Sequence, residues 1–527
     1  MRRHAAHHPS RGHDWSRWLN DEKPLRRFSP HARHRLALGY ANSYHVGMSS
    51  LGFQRTFELV HRRDDWACER FFLDGEGTPV TLETRTPIGD FGCIAFSVSF
   101  EEDYVHLLQL LDRARVPLRR RDRGPGDPLV LMGGSCAAIN PLPMAEFVDV
   151  FPLGAAENLL DALQSALEEE PDREAVLRRL ASTPGFFVPA HHDAGELTEA
   201  DSKLKKLELT AEQMRQPGNL PSTVIVTPHT EFRDKVLIEM SRGCPEKCRY
   251  CWATFGMGKF RWHPTEAILA AMDGARGVTD QLGFVATAVG DHPEVERILT
   301  TGVELGFRCS VSSIRIPAVT EGVLAALHAS GDRSITLAPE TGNDELRIKM
   351  GKHVSNALLL DKVRLIAAAG FTQLKLYFLV GLPDETLDDV RSILDLAEQV
   401  RGIFKEQAPK TGVMGQLHLG VNVLVPKPYT PWQRHPMPPE RELALRIAVL
   451  KKGVARLPNV TLGQLSIRQA VWQTYISKAG PQAADLLERA ARGQHLASLL
   501  REFADRIAPE VFVPLEGDLR WHFLRTG

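Results

Sequence analysis

The chain has 527 residues, long enough for two to four domains with cores of their own. Its 64 Lys and Arg face 65 Asp and Glu, so bulk charge gives no case for a nucleic-acid partner, although local patches stay open. Few cysteines in so long a chain argue against a disulfide scaffold; no apolar run approaches the ~20 residues of a membrane-spanning helix, and the opening MRRHAAHHPSRGHDWSRWLN lacks a signal-peptide core, so a cytoplasmic protein is expected.

Residues 1–34 are rich in His and Arg without periodicity and read as a disordered lead-in. Its histidines, His4, His7, His8, His13, His31 and His34, show no regular ligand spacing, which favours a solvated tail over a metal site. From residue 35 to about 195, short apolar runs (RLALGYA, IAFSVSF, LVLMGG, VDVFPLG) alternate with amphipathic helical patterns such as EEDYVHLLQLLDRA, which predicts a doubly wound α/β domain with a parallel sheet. Residues 196–230 read as a polar linker. Over 231–435, six strand-like runs (VLIEMS, FVATAV, RCSVSS, SITLAP, QLKLYFLV and HLGVNVLV) are separated by five helical patterns, which predicts a partial (β/α)6 barrel, two units short of closure. Residues 436–527 turn helical throughout and read as a helical carboxyl-terminal domain.

One stretch concentrates the chemistry. SRGCPEKCRYC places Cys244, Cys248 and Cys251 within eight residues, after the first barrel strand, at the end where barrel enzymes carry their active sites. Three thiols are one short for structural zinc and one short for a fully ligated 4Fe–4S cluster. On a 4Fe–4S cluster they leave one iron open for a substrate or cosubstrate. Arg242, Lys247 and Arg249 bring positive charge toward an anionic cluster, and Gly243 and Pro245 turn the chain as it leaves the strand.

This stretch resembles the CxxxCxxC signature of the radical S-adenosylmethionine (SAM) superfamily, including the aromatic Tyr250 before the third cysteine. LAPETGNDELR, KLYFLVGLPDET and VLVPKPYTPWQ, with NSYHVGMSSLGFQ and MGGSCAAINPLPMAEFVDVFPLGAAEN, resemble the branch that carries an amino-terminal cobalamin-binding-type domain. The resemblance covers most of residues 35–480. It implies that the open iron chelates SAM, that one electron cleaves SAM to methionine and a 5′-deoxyadenosyl radical, and that a reductant such as flavodoxin or ferredoxin supplies that electron. It also places Gly290 and Asp291 where the superfamily's Gly-Gly-Glu motif holds the SAM amino group, although VGD stands here for GGE. Asp291-His-Pro-Glu294 reads equally as a helix N-cap with a capping glutamate. Glu340, ending the fourth strand, is placed to hold the ribose or amino group, with a structural ion pair as the alternative, and Gly381 and Pro383 fit a loop that admits the adenine.

In the first domain, the resemblance implies that Gly133, Gly134, Gly154 and Glu157 border a cobalamin, whose presence the sequence leaves open. The Asp-x-His-x-x-Gly pattern that supplies a histidine to cobalt is not met: Ser43-Tyr44-His45-Val46-Gly47 lacks the Asp and the spaced Gly, so His45 reads as a loop histidine. Methylthiotransferases share this architecture but need three further cysteines for a second cluster. Cys68 and Cys93 are expected before their strands and Cys136 after one, at opposite sheet ends, as buried thiols. The leading expectation is cobalamin-dependent methyl transfer to an unactivated carbon. Cobalamin-independent rearrangement, coupling or cyclisation is the alternative, and an iron–sulfur sensor is the rival from another class. No motif identifies the substrate, and no nucleic-acid module is evident.

Overall fold

A computed structural model describes residues 15–193, 204–463 and 465–524. The chain forms two compact units: one comprises Leu237–Thr474 with Val511–Leu515, the other the residues before Leu237 with Tyr475–Glu510 and Glu516 onward.

The amino-terminal unit is built on four parallel strands, β1 (His34–Tyr40), β2 (Trp66–Phe71), β3 (Cys93–Ser97) and β4 (Leu129–Gly133), in the order β2-β1-β3-β4. The order reverses direction between β1 and β3. Helices α1 (Leu51–Val60), α2 (Asp103–Arg113) and α3 (Ala156–Glu169) belong to the alternating pattern, and Ser50 caps α1 by accepting from the Phe53 N–H. Leu36, Leu38, Phe53, Phe57, Leu131 and Val150 share one apolar core. Strand β2 was not among the expected runs. Its WACERF sequence carries Glu69 and Arg70, yet all six residues are buried. Glu69 accepts from Arg35 at 2.8 Å and Thr81 at 2.7 Å, and Arg70 donates to Glu22 at 2.8 Å and Glu83 at 2.6 Å, so buried pairs replace the apolar signature.

The expected irregular lead-in is folded from Trp15: a helix, Trp15–Asp21, precedes Lys23–Pro24, which pairs antiparallel with Ile225–Val226 inside the expected linker. His4, His7, His8 and His13 lie outside the described residues. Cys68 sits within β2 rather than before it, Cys93 begins β3, and Cys136 follows β4; all three are buried, and none is in a disulfide.

The second unit alternates strands and helices in the expected order. Strands β5 (Val236–Glu239), β6 (Gln281–Val285) and β7 (Arg308–Val311) form one sheet in the order β7-β6-β5. Strands β8 (Ser334–Glu340), β9 (Gln373–Val380), β10 (Gln416–Val423) and β11 (Val460–Leu462) form another, parallel throughout. The Ile314 N–H reaches the Thr336 carbonyl at 3.2 Å between the two sheets, and the barrel does not close. Strand β11 is a seventh strand within the stretch expected to be wholly helical; at three residues it is too short to show an alternation. Among the described residues no helix is long and apolar enough to cross a membrane.

Candidate active site

Beyond the carboxyl end of β5, Ser241–Arg242 pairs antiparallel with Arg261–Trp262, so the cysteine stretch is an excursion stapled at its base. Gly243 takes φ +73°, and a Cβ there would lie 2.7 Å from the Gly258 carbonyl oxygen; only glycine fits so close an approach. The Thr287 hydroxyl holds the Gly243 carbonyl at 2.7 Å. Later segments grip the other side: the Arg249 N–H donates to Met350 O at 2.8 Å and Trp432 N–H to Arg249 O at 3.2 Å, while a Cβ on Gly351 would meet Lys247 O at 2.7 Å. Tyr250 packs against the buried cluster of Met350, Leu382, Leu424 and Trp432.

Cys248 is buried, and Cys244 and Cys251 are partly so. Burial pushes all three thiols up, Cys248 to about 12 against the opposing pull of Lys352. The three sulfurs do not surround a single ion: the set of three such donors within 4.8 Å of one another among the described residues is His34, Asp65 and Glu168, elsewhere in the fold.

Two carboxylates flank this loop. Glu340 ends β8 after a register shift, with φ +69°, rare for a residue with a side chain. Its Oε1 accepts from the Tyr250 hydroxyl at 2.7 Å and Lys352 Nζ at 2.9 Å, leaving Oε2 without a bond among the described residues. Arg347, fully buried, fixes this corner: it donates to the carbonyls of Pro339 and Thr341 on either side of Glu340, to Val354 O, and to Asp344 and Asn356. Asp291 faces Arg315, whose guanidinium bridges it to Glu246. Burial pushes the Asp291 carboxyl up and Arg315 draws it back; among the described residues its buried Oδ2 has no hydrogen-bond partner. Asp291 is not a helix cap, since the helix Val295–Glu304 takes Glu294 at its N-cap, and Gly290 is required because a Cβ would lie 2.6 Å from that of Ala318.

The Gly381–Pro383 loop follows β9. Gly381, at φ +83°, donates its N–H to Glu385 Oε2 at 2.7 Å, and Arg446 Nε stands 3.2 Å from the same oxygen. Burial pushes the Glu385 carboxyl up to about 7 despite these two partners. The second unit therefore gathers the cysteines, Tyr250, Asp291 and Glu340 at the carboxyl ends of its strands. The sequence reading missed Arg315, Arg347 and Lys352, whose sole signal is positive charge near the motifs.

In the first unit the candidates have partners within the chain. Gly134, at φ +96°, would place a Cβ 2.5 Å from Val98 O, and Gly154, at φ +128°, 2.6 Å from Leu207 O. Gly133 abuts Pro152 more loosely, and Glu157 accepts from buried Arg55 at 3.0 Å. Both His45 ring nitrogens are engaged, by His229 O and Glu231, each at 3.2 Å. What this edge offers a ligand lies between β1 and β3: Asp103, with Oδ2 buried and lacking a hydrogen-bond partner, and His106 beside it.

Comparison with known proteins accords with this arrangement. A family model described as "Radical SAM proteins, N-terminal" matches residues 52–189, and one described as "Radical SAM superfamily" matches residues 238–397, together more than half of the chain. The chain belongs to the radical SAM superfamily. It is an enzyme of that superfamily, whose cofactors are a 4Fe–4S cluster and SAM. An uncharacterized protein of Methanocaldococcus jannaschii is 24% identical over 402 residues, covering 76% of this chain and 79% of its own. The radical SAM methyltransferase TsrM of Kitasatospora setae, solved with tryptophan substrate and the SAM analog aza-SAM, has a similar fold: TM-score 0.52, 14% identity, 76% of this chain and 75% of that one. The cobalamin-dependent SAM radical enzyme OxsB, solved with aqua-cobalamin and SAM, gives TM-score 0.50 at 13% identity, over 79% of this chain and 61% of that one.

Proposed function

We propose that Cys244, Cys248 and Cys251 hold three irons of the cluster, that SAM binds the fourth, and that the enzyme transfers a methyl group from cobalamin to an unactivated carbon of its substrate. When bound, the cluster would supply the electron that cleaves SAM to methionine and a 5′-deoxyadenosyl radical; that radical would take a hydrogen atom from the substrate carbon to give 5′-deoxyadenosine, and methylcobalamin would supply the methyl radical that joins that carbon, leaving cobalt(II). The observation that carries the reading is the stapled cysteine loop flanked by two carboxylates with unengaged oxygens. Asp291 Oδ2 suits the SAM ammonium, and Arg315 holds that carboxylate in place. Glu340 Oε2 suits a ribose hydroxyl, with Oε1 anchored by Tyr250 and Lys352. The Gly381–Pro383 backbone suits the adenine edge. A one-electron donor of the flavodoxin or ferredoxin type completes the cycle.

Methyl transfer is supported by a fold that resembles the methyltransferase TsrM, and a corrinoid in the first unit by one that resembles the cobalamin-dependent enzyme OxsB. One observation favours a second reading, radical rearrangement, coupling or cyclisation without cobalamin: Gly134 and Gly154 are closed by the chain's own backbone. Anaerobic reconstitution with iron and sulfide, then dithionite and SAM, should yield 5′-deoxyadenosine, and Cys248→Ala should abolish it. An intact cluster that gives no product would refute the assignment. Protein grown with hydroxocobalamin should carry the corrinoid absorbance; a colourless first unit removes methyl transfer and leaves the second reading.

A further inference from the structure

In an open parallel sheet, ligands bind beyond the carboxyl ends of the strands, where the strand order reverses. Here that point lies between β1 and β3. The chain that follows β3 opens α2 with Asp103, and one turn on, His106 reaches back across the gap. Its Nδ1 lies 3.1 Å from the Ala41 carbonyl, just past β1, and 3.1 Å from Asp103 Oδ1. Both partners are acceptors, so a proton is placed on Nδ1, and Nε2 is the ring nitrogen left to face a ligand. Among the described residues nothing bonds Nε2, and the side chain is 34% exposed where that of Asp103 is 4% exposed. Asn42 Nδ2 donates to the same Asp103 Oδ1 at 2.8 Å, so the carboxylate is held from β1 as well as from its own helix.

A carboxylate that orients a histidine through Nδ1 and raises the basicity of Nε2 is the arrangement that supports a metal-ligating imidazole. The second Asp103 oxygen is buried and has no hydrogen-bond partner, which asks for a donor from outside the chain. The amide groups around a corrin ring are donors of that kind. Elsewhere along this edge the chain is closed: the Ser477 hydroxyl bonds Glu101 at 2.8 Å, Asn140 holds Ser477 O at 3.1 Å and Ala479 O at 2.9 Å, and Leu207 covers Gly154. The gap between β1 and β3 is where an imidazole nitrogen and an unsatisfied carboxylate oxygen stand together.

We propose that His106, positioned by Asp103, is the axial nitrogen ligand to cobalt in the corrinoid bound by the first unit, the role that His45 does not fill. This rests on the reading of that unit as a corrinoid site. The test uses the full-length protein loaded with aquocobinamide, which lacks an appended base, and reduced anaerobically to the cobalt(II) state with ascorbate, a reductant too weak to reach cobalt(I). Paramagnetic resonance should show each cobalt line split into three by one nitrogen, and into two when the protein is grown on histidine labelled with the heavy nitrogen isotope. His106→Ala should retain the corrinoid and lose the splitting, and added imidazole should restore it; Asp103→Asn should weaken it while His45→Ala leaves it intact. Bound cobinamide with no nitrogen splitting, or a splitting that survives in His106→Ala, overturns the assignment and leaves the corrinoid reading standing. Failure of the folded wild type to bind any corrinoid overturns both.

Discussion

Replacing Gly154 with alanine separates a glycine kept for a ligand from one kept for the chain. The residue takes φ +128°, outside the range that side-chain-bearing residues adopt, at a cost of about 1–3 kcal/mol. The new Cβ would lie 2.6 Å from Leu207 O and 2.7 Å from its C and N, all backbone atoms that no rotamer change can remove. The Leu207 segment is pinned on both sides, by Ala155 N–H to Leu207 O at 3.0 Å and Leu207 N–H to Leu153 O at 2.9 Å, so relief means breaking one of these bonds. Overpacking of this kind costs about 1–3 kcal/mol, which brings the expected loss to about 2–6 kcal/mol. Calorimetry of apoprotein, prepared without any corrinoid, should show the transition of this unit fall by about 5–15 °C. An unchanged apoprotein transition, together with a tenfold loss of cobalamin affinity, would refute the reasoning and return Gly154 to the cofactor.

Arg347→Met should cost about 3–5 kcal/mol in urea unfolding, because it strands the buried carbonyls of Pro339, Thr341 and Val354; a loss below about 1 kcal/mol would mean that water replaces the guanidinium. Lys206 is buried, and burial lowers its ammonium from 10.5 to about 7. The unfolded chain holds that proton to the higher pH, so unfolding takes up a proton across this window: stability rises with pH between the two values and is flat below them. Lys206→Met should remove that slope and raise the melting temperature at neutral pH, and an unchanged slope would exclude Lys206 as its source.

The sequence made local patterns legible and long-range convergence illegible. The cysteine spacing and the apolar runs of β3, β4, β8, β9 and β10 depend on neighbours in the chain, and they read directly. Strand β2 did not, because Glu69 and Arg70 are paid for by partners as distant as Glu22, and β11 is too short for periodicity. Arg347 and Lys352 acquire meaning only once β8 ends in the turn that brings Glu340 to them. Glycines at strand ends are ambiguous in the sequence, since a residue without a side chain marks close approach but not what approaches, and at Gly134 and Gly154 the chain's own backbone comes that close. The histidine beside the expected motif, His45, is tied to the chain, while His106, inside an ordinary helical pattern, faces the gap.

The stapled base of the cysteine loop bears on how the enzyme is assembled. A zinc finger is ordered by its metal and unfolds when the metal leaves. Here the Ser241–Arg242 ladder, the Gly243 and Gly351 approaches, and the bonds from Met350 and Trp432 fix the loop through protein contacts alone. These contacts restrict the conformations open to the loop, and so contribute to ordering it when the barrel folds. The shape of the loop is thus set in part by residues a hundred or more positions further along the chain, Met350 and Trp432 among them, and not by the cysteine stretch by itself.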